Sequence, residues 1–103
     1  MANKHDPFDR EANEQLQEAA NERAQLALRI EKEDLIWLMS GRKGRRIVRG
    51  ILDRAGVWRL SFNTNAMQMA FNEGMRNEGL ALTAKLMSYC PLQYSEMITE
   101  DKE

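Results

Sequence analysis

The stretch Gly44-Arg-Arg-Ile-Val-Arg-Gly-Ile-Leu-Asp-Arg-Ala55 spaces its apolar residues at the period of an α-helix. At about 100° per residue, Ile47, Val48, Ile51, Leu52 and Ala55 share an arc of about 140°. Arg45, Arg46, Arg49, Gly50 and Asp53 fill the opposite arc. The pattern predicts a helix that buries its aliphatic face and turns its arginines to water, so that Arg49 faces solvent. Gly56 stops it, and Gly-Arg-Lys-Gly at 41–44 precedes it as a turn. Before that turn, Leu35, Ile36, Trp37, Leu38 and Met39 make a short, much more apolar helix. The reading is a helical hairpin.

Outward from the hairpin, residues 56–63 form a connector whose Val57, Trp58, Leu60 and Phe62 are expected to plug the core. Asn63, Thr64 or Asn65 then caps a long helix reaching about Tyr89. Along it Met67, Phe71, Met75, Leu82 and Leu86 make one stripe, and Met69, Leu80 and Met87 lie on roughly the opposite side. The first stripe can dock on the core. The second requires its own cover: the N-terminal helix, the C-terminal segment or another protein chain. Gly74 and Gly79 weaken the helix by about 1 kcal/mol each relative to alanine, which points to close backbone approach. A last helix starts at Pro91, carrying Leu92, Tyr94, Met97 and Ile98.

On the N-terminal side, Asp6 and Pro7 suit the cap and first turn of a helix running to about Lys32. Its heptad columns are Leu16, Arg23 and Ile30, and Ala12, Ala19 and Leu26. Such a seam is narrow and rich in alanine, so Leu16, Leu26 and Ile30 are candidate partner contacts rather than a free-standing coiled coil. Strand signals are missing throughout. The expected architecture is all-α: an acidic helical extension at 1–33, a compact helical domain at 34–98 and a fraying tail at 99–103.

Charge is segregated beneath a net value of −1. Residues 1–34 carry five basic and nine acidic side chains, residues 35–62 seven and one, and residues 63–103 three and six. A basic island thus sits between acidic flanks. No run of apolar residues is long enough for a signal peptide or a membrane span. Cys90 is the one cysteine and His5 the one histidine, so neither a disulfide within the chain nor a cysteine–histidine pair at one site is expected. Cys90 reads as a small packing residue of an intracellular protein.

Catalysis needs polar groups converging in a dry pocket, and nothing here has the spacing of a nucleophile elbow, a zinc helix or a phosphate loop. A non-enzymatic protein without cofactor or bound metal is expected. The strongest constellation is basic: Arg42, Lys43, Arg45, Arg46 and Arg49, with Arg59 nearby, cluster around one turn. The arginine fork suits phosphate and carboxylate alike, so nucleic acid and an acidic protein surface both fit. The hairpin helix lacks the polar side chains that read bases, so DNA contact would be to phosphate and without sequence preference.

Three stretches carry a family resemblance: Asp34-Leu-Ile-Trp-Leu-Met-Ser-Gly-Arg-Lys-Gly-Arg-Arg46, Asp53-Arg-Ala-Gly-Val57 and Met69-Ala-Phe-Asn-Glu-Gly-Met-Arg-Asn-Glu-Gly-Leu80. Together they resemble a family of small tailed-bacteriophage proteins, the short Bordetella-phage-type domain encoded among portal and capsid genes of short-tailed phages. The resemblance covers about 34–98 and supplies no catalytic residue. It implies a structural protein made in the bacterial cytoplasm and incorporated in the virion. Its partners would be other head-assembly proteins, met in multiple copies, with packaged DNA as a further one. The alternative is a nucleic-acid-binding accessory protein using the basic hairpin.

Overall fold

Asp9 caps the first helix of the computed structural model, which describes residues 9–100: its Oδ1 accepts from the Ala12 N–H at 3.0 Å. Asp6 and Pro7, the expected start, lie outside the described residues. Helix α1 runs Arg10–Ser40, α2 Arg42–Ala55, α3 Ala66–Tyr89 and α4 Pro91–Glu100. The chain is all-α, with no strand among the described residues. The two helices expected before the turn are one, because no glycine or proline interrupts residues 32–35.

Contacts divide the chain into two units between Glu33 and Asp34. In the first, residues 10–33 are helical and none is buried. Leu16, Leu26, Leu28 and Ile30 are exposed.

The second unit holds the core: Met39, Val48, Leu52, Val57, Leu86, Cys90 and Met97, with Leu35, Leu38, Ala55, Leu82, Tyr89, Tyr94 and Ile98 packed around it. Complete burial of a side chain such as Leu52 or Leu86 contributes about 1.5–3 kcal/mol. Gly41 is the whole turn before α2. At the other end Gly56 takes the left-handed conformation at φ 81°. Its N–H donates to Asp53 O and the Val57 N–H to Leu52 O, the paired bonds that close a helix with an inward hydrophobic residue.

That closure seats Val57 in the core and nothing beyond it. Trp58, Leu60 and Phe62 are exposed, Leu60 at 91 %, contrary to the expected plug. The connector is instead pinned from outside: Arg59 Nη2 donates to Asp53 O at 2.6 Å, Arg76 Nε donates to Arg59 O at 3.1 Å, and Ser61 Oγ donates to Glu73. Asn65 caps α3, its Oδ1 accepting from the Met67 and Gln68 N–H groups at 3.0 Å each.

Gly79 shows why the interior line falls where it does. A Cβ there would lie 2.5 Å from Val57 Cγ2 and 2.9 Å from Ala55 Cβ, so its absence lets α3 close on the end of α2. Gly74 has open space around it, so close approach explains one glycine of the two. With α3 and α4 both against α2, the buried line of α2 is Arg45, Val48 and Leu52. Ile47 and Ile51, expected inside, are exposed, because the apolar arc is wider than this contact line. Of the expected tail, Thr99 and Glu100 continue α4, the latter held by Arg45, and 101–103 lie outside the described residues.

Candidate partner-binding surfaces

Of the five basic residues expected to bind anions, Arg45 is corrected first. It is 8 % exposed, and its guanidinium is taken up inside its own chain. Nε and Nη2 donate to Glu100 Oε1 at 2.9 and 2.7 Å, Nη1 donates to Met39 O at 2.9 Å, and Glu96 Oε2 lies 3.6 Å away. Hydrogen bonding to Glu100 strengthens the guanidinium's hold on its proton. The same bond holds the Glu100 carboxyl below its ordinary value, helped by the charges of Arg45, Arg42 and Arg46. Arg45 is therefore a clasp between the first turn of α2 and the last turn of α4. Sequence pattern alone could not show this, because the carboxylate partner lies 55 residues away.

Arg42, Lys43 and Arg46 stay exposed. Arg49 does not simply face water: its guanidinium carbon sits 4.1 Å from the centroid of the Trp58 ring. The start of α2 is unusual in charge. Gly41 offers no side-chain cap and no acid lies in the first turn, although the helix dipole favours negative charge there. A local conflict of this kind is where a functional demand is to be sought. Arg59, grouped with these residues in the sequence, instead closes the carboxyl end of α2.

The apolar candidates on α3 form an open flank: Met69 and Leu80 are each 37 % exposed and Met87 55 %. No other part of the described chain covers them fully. Phe71, Met67 and Met75, from the stripe expected to dock on the core, are exposed too, and only Leu86 of that stripe is buried.

The sequence reading missed a second surface. Ile51, Ala55, Met75, Gly79 and Leu82 line a groove of about 520 Å³ between α2 and α3, edged by Arg54, Glu78 and Lys85. The width of the α2 arc signals that one packed line cannot bury five side chains spread over about 140°, but not where the uncovered ones meet α3.

Cys90 is buried, and burial pushes its thiol pKa up, away from the reactive thiolate. Among the described residues no cluster of histidine, cysteine and acidic side chains is arranged for a metal. No helix there is long and apolar enough to cross a membrane.

A family model described as Bbp19-like phage protein matches residues 36–99, more than half of the 103-residue chain. No curated protein and no solved structure matches significantly.

Proposed function

The chain belongs to the Bbp19-like phage protein family, and from that premise we propose that it is a non-enzymatic structural or assembly protein of a tailed-phage particle. In this reading it is held in several copies to portal, shell, internal-core or tail proteins. The observation that carries the reading is apolar exposure. Among the described residues eighteen large apolar side chains are exposed, against seven apolar side chains buried in the core. Single exposed side chains are ordinary, but contiguous patches mark interaction surfaces. Met69, Leu80 and Met87 on one flank of α3 form one candidate patch, and the α2–α3 groove lined by Ile51, Met75 and Leu82 forms another. Methionine suits such a surface, since its flexible thioether repacks against more than one neighbour.

Mass spectrometry of purified particles and procapsids tests the proposal. Recovery of the chain at a fixed stoichiometry is the expected result. Its absence from both would count against an assembly role.

A second reading, phosphate-directed contact with packaged DNA, is favoured by one observation: Arg42, Lys43 and Arg46 remain exposed at the uncapped start of α2. With about three phosphates neutralised, log affinity would fall against log salt with a slope of roughly −3. A gel shift insensitive to Arg42→Ala combined with Arg46→Ala would retire this reading.

A further inference from the structure

Two ridges of opposite charge run along separate helical segments of this chain, and their spacings match. In α1, Glu11, Glu14, Glu18 and Glu22 follow one another at intervals of three, four and four residues, all exposed, and no basic residue lies between Glu11 and Glu22. Residues three or four apart are neighbours on a helix surface, so these glutamates form one acidic line. In α2, Arg42, Arg46 and Arg49 follow at four and three, forming a basic line next to the uncapped helix start. Like charges at such spacings destabilise a helix on its own, so the acidic line gains from an opposing basic surface.

Read in opposite directions the two lines coincide. Glu11, Glu14 and Glu18 step by three then four, and so do Arg49, Arg46 and Arg42. Each set spans seven residue steps, or about 10.5 Å along the helix axis. No parallel register places three glutamates opposite the three arginines.

We propose that the acidic line of one copy docks antiparallel on the basic line of α2 in a second copy, setting Glu11 against Arg49, Glu14 against Arg46 and Glu18 against Arg42. The contact joins different surfaces on the two copies, so it closes a pair where it is made reciprocally about a two-fold axis and otherwise repeats into a ring or an open chain. This rests on the assembly reading, which it deepens by naming a second copy as one partner.

The test is sedimentation of the full chain with a charge swap. At about 50 mM salt the wild-type chain self-associates, and at about 500 mM the association weakens by about tenfold or more. Glu14→Lys with Glu18→Lys reverses the acidic line, and Arg42→Glu with Arg46→Glu reverses the basic one. Arg42→Glu places an acid in the first turn of α2, where it suits the helix dipole, and unchanged helicity by circular dichroism verifies that both variants are folded. Each variant alone loses association, and their equimolar mixture regains it, because every junction is again between opposite charges. A wild-type chain that stays monomeric at low salt overturns the proposal. So does a mixture that fails to associate while both variants are folded. The loss of DNA retention in the basic-line variant with self-association intact overturns it as well, in favour of phosphate as the occupant. Particle mass spectrometry reads the assembly proposal separately, so a monomeric chain still found in particles would refute the docking alone.

Discussion

Helix α2 and the segment 10–33 of α1 are both helical and both strongly charged, yet their charges are used differently. In α2, one arginine of the set turns inward and bonds Glu100 and Met39 O, while Val48 and Leu52 beside it are buried. Within 10–33 no side chain is buried, and four glutamates line one face. Helix α2 is fixed by what it packs against. Segment 10–33 depends on helix-forming residues and the Asp9 cap, and helices without tertiary packing are marginal in water. The contrast assigns stability to the second unit and leaves the first unit's faces available for other molecules.

The most direct way to break this contrast is at Leu52. Leu52→Ala should lower unfolding free energy by about 2–4 kcal/mol in denaturant titrations, since the side chain is completely buried. Gly79→Ala should cost about 1–3 kcal/mol by the same measurement, because the added methyl meets Val57 and Ala55.

Next in size is the clasp, read through pH. The Glu100 carboxyl is held below its ordinary value by Arg45, so the folded chain binds that proton less tightly than the unfolded chain. Its stabilisation is complete above the unfolded carboxylate range, about 4.3, and is lost as pH falls through the lowered folded value. Glu100→Gln should therefore destabilise the protein at neutral pH and flatten the acid side of its stability profile. An unchanged profile would mean that the Arg45 bond contributes nothing.

Arg49→Ala should cost about 0.5–1 kcal/mol through lost stacking on Trp58, measurable by thermal melting with Trp58 fluorescence as a second readout. Smallest of all, Leu26→Ala should change stability by under about 0.5 kcal/mol, as for other exposed positions. If Leu26→Ala matched Leu52→Ala, the contrast between the two units would collapse.

The fold class was legible because helix periodicity, the Gly56 stop and the Asn65 cap are local signals. Facing was less legible. Ile47 and Arg45 are two residues apart and were assigned to opposite faces, yet the arginine is inside and the isoleucine outside. That exchange is decided by α4, whose Glu96 and Glu100 carry the acidic partners for Arg45. The connector was misread for a related reason: hydrophobicity marks Trp58, Leu60 and Phe62 as wanting cover, but does not say whether this chain provides it. The exposed flank of α3 was legible from two opposed stripes on one helix. The α2–α3 groove was not, because it exists only once Gly79 has set how closely those helices approach.

The central claim is that the exposed flank of α3 meets another protein in the assembled particle, and methionine oxidation reads that flank directly. Under mild peroxide the isolated chain should oxidise at Met69 and Met87 while the buried Met39 and Met97 stay reduced as internal references. In intact particles Met69 and Met87 should be protected to the level of Met39 and Met97. Oxidation of Met69 and Met87 in particles at the rate of the isolated chain would contradict the account.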